Sequence, residues 1–266
     1  MSRSVFDGDS EGVEVTGPDD AQQIVFVHGT IFNRTMWAPQ REELAEEFRV
    51  ITFDMPGHGT RSAEAFKLDP AIETLRDVLD NRADGNAHVV GHSLGGYVAM
   101  EYARRYPETV DSLVLADSSA NPVGFLGKLT YAIGKAAVLA SRSERIERAT
   151  SWINEKYVRS RDLPPEMQKE IIEAGFTLRP FGEAGIEIAG EDFRSAFAAF
   201  PGPALVVNGQ FDLVMRLAEK DHANAGTADV TVIDGAGHIS NLDRPESYTA
   251  AVARFVDPAR TVGAGD

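Results

Sequence analysis

Ser93 stands in Gly91-His92-Ser93-Leu94-Gly95, a G-x-S-x-G spacing that suits a nucleophilic hydroxyl. The run before it, His88 to Ser93, is apolar and β-like, and Leu94 to Tyr106 after it is patterned as a helix that stops at Pro107. A sharp strand-to-helix turn is therefore expected at Ser93. Small residues are needed on either side, because side chains at 91 and 95 would collide with neighbouring elements. The hydroxyl would then rise at the carboxyl edge of a sheet, beside a helix N-terminus that favours developing negative charge. The plainer reading, a glycine-rich turn with a capping serine, explains the letters but not the strand before and the helix after.

A serine hydroxyl needs a base to take its proton, and six histidines compete for that role. His88 lies within a strand and reads as packed or edge-exposed. His92 adjoins Ser93 in sequence but should point elsewhere, lining the pocket. His58, in Pro56-Gly-His-Gly59, could sit at the edge of the site without a partner to orient it. His222, in Glu219-Lys-Asp-His222, reads as a solvated position on a polar helix. His28 ends a strand and suits a supporting hydrogen bond. His238 follows the last strand in Asp234-Gly-Ala-Gly-His238, a loop beyond a strand's carboxyl end, where open α/β sheets place their chemistry. His238 is the expected base.

The base needs a carboxylate to fix its tautomer and stabilise the imidazolium. Asp212, Asp117 and Asp54 all follow strand-like runs. Asp54 falls on the far side of the nucleophile's helix connection, which leaves Asp212 and Asp117 as rivals. Gly29, after the first strong strand, permits a tight turn that could aim the N–H of Thr30 at a developing oxyanion. The N–H of Leu94 would be the second donor.

The elements that must position these groups alternate. Gln23 to His28, Arg49 to Asp54, His88 to Ser93 and Ser112 to Asp117 are near-continuously apolar, as befits strands buried on both faces of a parallel sheet. Trp37 to Phe48, Ala71 to Asn81 and Leu94 to Tyr106 carry apolar residues at helical spacing. This rhythm predicts a doubly wound, mostly parallel α/β sheet. It breaks at Asn121. Helical patterns cover Val123 to Ala140, Ser143 to Val158, Pro165 to Gly175 and Glu183 to Ala189, and strands resume at Ala204 to Asn208 and Val230 to Asp234. Pro245 to Val256 reads as a closing helix. Residues 121–195 are too many for a crossover and are expected to form a helical cap subdomain, with residues 1–120 and 196–266 as the core. The first 22 residues are turn-rich and could form a hairpin through Asp7-Gly8 or Gly17-Pro18.

Composition narrows the class. Of 266 residues, 41 are acidic against 26 Lys plus Arg, a formal net charge of −15, which argues against nucleic acid and anionic lipid as partners. The absence of cysteine excludes thiolate nucleophiles and Cys-ligated metals. Met1 to Ser10 turns acidic at once, so no signal peptide is expected. No run reaches the ~18 apolar residues of a membrane span, and a cytoplasmic location follows as the default. Six of the 26 basic residues are Lys; an acidic, lysine-poor surface suits high salt as well as ordinary solubility.

Taken together, VHGT (Val27 to Thr30), FDMPGHG (Phe53 to Gly59), GHSLGG (Gly91 to Gly96), NGQFD (Asn208 to Asp212) and GAGHISNLDRPE (Gly235 to Glu246) resemble the motifs of α/β-hydrolase-fold serine hydrolases, in that family's order. The resemblance implies a triad of Ser93, Asp212 and His238, since the order Ser, Asp, His selects Asp212 over Asp117. It implies oxyanion donors at Thr30 and Leu94, with Ile31, His92 and Ile239 as pocket residues. It also implies a helical cap inserted after the sixth strand. Serine at the elbow distinguishes the chain from haloalkane dehalogenases and epoxide hydrolases of the same fold. Two departures stand out: Thr60-Arg61-Ser62 is one residue longer than the usual G-x-G-x-S, and the N-terminal segment is short for two strands.

The expected reaction is cleavage of a small carboxylic ester through an acyl-enzyme, without metal or organic cofactor. Lactone opening, carbon–carbon bond hydrolysis and cofactor-free perhydrolysis are alternatives on the same triad. A lyase, or a non-catalytic ligand-binding or signalling protein, is the alternative of another kind. Leu126, Leu129, Ile133, Ala136, Ala137 and Ala140, with Trp152 and Phe176, suggest a pocket for an apolar acyl or aromatic small molecule. The same stripe would serve to pack the cap on the core. The sequence leaves the oligomeric state open.

Overall fold

Successive residues of a strand face opposite sides of a sheet, and here both sides are apolar. Ile24 and Phe26 enter one hydrophobic cluster, while Val25 and Val27 enter another on the opposite face. A sheet so patterned must be covered on both faces, and helices cover it. The structure, a computed structural model, describes residues 12–83 and 85–258.

The elements run β1 (Val13–Thr16), β2 (Gln23–Val27), α1 (Ala38–Leu44), β3 (Arg49–Phe53), α2 (Leu68–Arg82), β4 (Ala87–His92), α3 (Leu94–Arg105) and β5 (Val110–Ala116). Then come α4 (Gly124–Ala140), α5 (Glu144–Arg159), α6 (Pro165–Glu173), α7 (Arg179–Ile188) and α8 (Phe193–Ala198). The chain closes with β6 (Ala204–Gly209), α9 (Leu213–Gly226), β7 (Asp229–Ile233), α10 (Ser240–Asp243) and α11 (Pro245–Val256). The described strands form one sheet in the order β1-β3-β2-β4-β5-β6-β7. Only β1 is antiparallel, pairing with β3.

Strand order reverses between β2 and β4, so the crevice at their carboxyl ends is the place where such sheets hold ligands. Thr30 follows β2 and Ser93 follows β4, which brings both to that crevice.

Three expectations change. The hairpin through Gly17-Pro18 is not formed: β1 and β2 both pair with β3, so they are never neighbours. Asp7-Gly8 lies outside the described residues. The helical insertion follows β5, the fifth described strand rather than the sixth, because a single strand, β1, precedes β2 among the described residues. A further helix, α8, begins inside the expected 121–195 segment and ends beyond it. Its Phe193 ring lies 4.7 Å from that of Tyr97 on α3, so it packs onto the sheet's own helices.

Within the insertion, α4 and α7 meet backbone to backbone at Gly134 and Gly182. Among the described residues no helix is long and apolar enough to cross a membrane.

Candidate active site

Ser93 has φ +50° and ψ −113°, the strained turn expected between β4 and α3. Its N–H donates to the carbonyl of Ala116 on β5 at 2.8 Å, which pins the turn to the sheet. Gly95 is required by a close approach: a Cβ there would stand 2.1 Å from the carbonyl oxygen of Val27. The first N–H groups of a helix lack partners within it, and Leu94 opens α3.

The hydroxyl of Ser93 lies 3.0 Å from His238 Nε2, and His238 Nδ1 lies 2.6 Å from Asp212 Oδ2. The two residues come from loops after β7 and β6. Asp212 also caps α9, its Oδ1 accepting from the N–H of Met215 at 3.4 Å, which fixes the carboxylate. Burial lowers the His238 pKa, but the Asp212 hydrogen bond and the charges of Asp117 and Asp212 outweigh it and hold the imidazole above its ordinary 6.5. The arrangement is that of a hydroxyl hydrogen-bonded to a base that a carboxylate orients.

Thr30, Ser93, Leu94 and His238 share the wall of a cavity of about 240 Å³. Its other walls are Tyr97 on α3, Leu126, Thr130 and Ile133 on α4, Phe181 and Ile188 on α7, and Val214 and Met215 on α9, among others. The loop that presents Thr30 is strained as well: Ile31 has φ +71°, unfavourable for a β-branched residue at about 1–3 kcal/mol. Its carbonyl accepts from Thr177 N–H at 3.1 Å, a tie to the segment before α7.

The remaining expectations sort as follows. Ile31, His92 and Ile239 are not among the cavity walls. Ile31 and Ile239 pack against the hydrophobic cluster on the α1 and α11 side. His92 is buried under the site, with Nε2–H donating to the carbonyl of His238 at 2.7 Å. Burial and the nearby His238 push its pKa down to about 3, so it stays neutral. Gly29 is needed for this packing: a Cβ would lie 2.5 Å from His92 Nδ1. Of the apolar stripe, Leu126 and Ile133 line the cavity. Leu129 and Trp152 are exposed, and Phe176 packs on Phe32 with ring centres 5.2 Å apart.

His222 is fully buried rather than solvated. Its ring stacks on Phe197 at 5.1 Å, and burial lowers its pKa to about 4. The expectation failed because α8, which supplies Phe197, was not legible. His58 is buried too, its Nδ1–H donating to Pro56 O at 3.0 Å. His28 takes the supporting role expected: Nδ1–H donates to Gly29 O at 2.7 Å and Nε2 accepts from Met55 N–H at 3.0 Å. His88 bonds Ser112 Oγ at 2.8 Å, away from the site. In the departing loop, Thr60 N–H and hydroxyl both donate to Asp54 Oδ2 at 2.9 Å, while Ser62 is exposed.

Asp117, the rival acid, does not bond the imidazole of His238. Its Oδ1 accepts from Gly209 N–H at 2.8 Å, and its Oδ2 from Ser240 Oγ at 2.6 Å and Ser240 N–H at 3.3 Å. It thereby joins the loops that carry Asp212 and His238, and burial raises its pKa to about 7. Its place at the end of β5 was visible in the sequence; its partners, 92 and 123 positions away, were not.

Residues 24–252 match the alpha/beta hydrolase family. The chain is 27% identical to 3-oxoadipate enol-lactonase 1 of Acinetobacter baylyi over 94% of each protein. It is 24% identical to the pimeloyl-[acyl-carrier protein] methyl ester esterase of Nitrosospira multiformis, over 90% of this chain and 94% of that one. Among solved structures, a thermophilic esterase from Thermogutta terrifontis superposes with a TM-score of 0.73 at 26% identity, covering 94% of this chain and 93% of the other.

Proposed function

The chain belongs to the alpha/beta hydrolase family, and from that premise we propose that it is a serine hydrolase cleaving small carboxylic esters through Ser93, His238 and Asp212. The observation that carries the reading is the unbroken hydrogen-bonded path from Ser93 Oγ through His238 to Asp212, opening into an apolar cavity. Relatives named as an enol-lactonase and a methyl ester esterase support carbonyl–oxygen cleavage.

Ser93 Oγ attacks the ester carbonyl as His238 Nε2 takes its proton. Asp212 holds Nδ1 protonated and stabilises the imidazolium. The oxyanion is received by the N–H groups of Thr30 and Leu94. On collapse His238 protonates the departing alcohol, leaving an acyl-Ser93. Water then attacks that ester with His238 again as base, and the acid leaves. The insertion from Asn121 to the start of α8 acts as a cap over the rest of the described chain; the α4 and α7 residues in the cavity wall support this.

A fluorophosphonate probe should label the protein at Ser93, and Ser93→Ala should lose both labelling and p-nitrophenyl ester turnover, the latter by about 10⁴-fold or more. Turnover retained in Ser93→Ala would overturn the assignment. Lactone opening on the same residues is the second reading, favoured by the enol-lactonase relative. A lactone panel assayed beside the esters decides between them.

A further inference from the structure

None of the residues lining the cavity beside Ser93 is Lys, Arg, Asp or Glu. Four of them, Leu126, Ile133, Phe181 and Val214, also reach the outer surface. Apolar side chains continue outward from there. On α4, Phe125, 83% exposed, and Leu129 adjoin Leu126 and Ile133. On α9, Leu213 and Leu217, the latter 88% exposed, lie on the same helical face as Val214. The only buried residues of α4 are Gly127 and Gly134, although its sequence is apolar nearly all round. Such a helix is normally covered, and a contiguous exposed apolar surface marks a binding region.

We propose that this strip is the outer half of the substrate site, and that the preferred substrates are uncharged esters with an apolar chain longer than the cavity. The chain leaves the cavity between α4 and the start of α9. Continuity selects this occupant: the strip begins in the wall that holds Ser93 and has no polar break at Leu126 or Val214. Charge agrees within the cavity, whose wall carries no Lys or Arg to hold a terminal carboxylate; on the strip's helices Arg216 is paired with Glu219, and Lys128 and Lys135 are the cations of α4. This substrate class rests on the Ser93 reading above.

The test uses the full chain and p-nitrophenyl esters from acetate to decanoate below their critical micelle concentrations, with alkyl acetates of matching length to tell an acyl chain from an alkoxy chain. In one of the two series kcat/KM should rise at least tenfold from two to eight carbons. A chain of equal length ending in a carboxylate should fall at least tenfold below its methyl-ended counterpart. Leu217→Glu should lower the eight-to-two-carbon ratio severalfold, whereas Leu139→Glu, exposed but outside the cavity wall, should not.

Rates flat or falling with length in both series would overturn the proposal, as would indifference to the terminal carboxylate. A stable dimer at assay concentration that Leu217→Glu dissociates would assign the strip to a second copy instead. If Ser93 is labelled and acetate is hydrolysed, a flat series defeats only the chain proposal. If no ester is cleaved and Ser93 is not labelled, the hydrolase reading itself fails.

Discussion

His92 Nε2 lies 3.7 Å from Asp117 Oδ2, and the His92 ring lies 5.4 Å from that of His238. The two side chains do different work from one spot. His92 donates to the backbone carbonyl of His238, while Asp117 accepts from Gly209 and from Ser240. Three loops, after β5, β6 and β7, are thus tied together by side chains that stand outside the proton path. Because burial keeps His92 neutral, it holds His238 without competing for its proton.

Replacing His92 by Phe tests that tie. The side chain stays planar and aromatic, though somewhat larger, and the donor is lost, leaving a part-buried carbonyl unpaired at about 1–3 kcal/mol. If that loss falls on the geometry of the base, kcat drops about 10- to 100-fold with little change in KM. A KM effect alone would show that His92 acts on binding.

The acid limb of activity should reflect His238. In the proposed mechanism only its neutral form accepts the Ser93 proton, and its pKa is held above 6.5, so kcat/KM should rise with pH to a half-point above 6.5. Asp212→Asn removes the hydrogen bond and one charge and leaves burial in place. The half-point should then move down, and the rate should fall by about 10⁴-fold. An unmoved half-point would mean that another group sets the limb.

Asp117 makes a prediction about stability. Its carboxyl binds its proton more tightly folded, about 7, than at its ordinary 3.8. The resulting stability is present below 3.8 and is lost as pH rises through about 7, where the buried carboxylate ionises. Asp117→Asn cannot ionise. Urea unfolding of both proteins from pH 4 to 8 should show the variant gaining relative to the parent across that window, and a constant difference would refute it.

Gly29→Ala should destabilise the protein by about 1–3 kcal/mol, the usual result of overpacking. The new Cβ would press on His92 Nδ1, 2.5 Å away, and on Ser93 Cβ, 3.3 Å away. Thermal unfolding measures the loss. Gly29→Ala combined with His92→Ala, which makes room, should recover part of it.

What the sequence determined by itself was local. Short apolar runs rich in Val, Ile and Phe, such as Ile24 to Val27, suit strands of a covered sheet, and two glycines flanking Ser93 announce the strained turn, because each follows from side-chain volume and direction along a few residues. The place of His238, in a loop beyond the last strand, was legible for the same reason. The tertiary structure alone decided what covers what. His222 sits on a polar helix, yet Phe197 of α8 closes over it. Asp117 ends its strand as Asp54 does, yet only folding brings Gly209 and Ser240 to its oxygens. Val214 and Phe181 became cavity wall because α9 and α7 converge from distant parts of the chain. Periodicity reports which face of an element is apolar; the identity of the surface it meets depends on contacts between segments whose separation along the chain leaves no local trace.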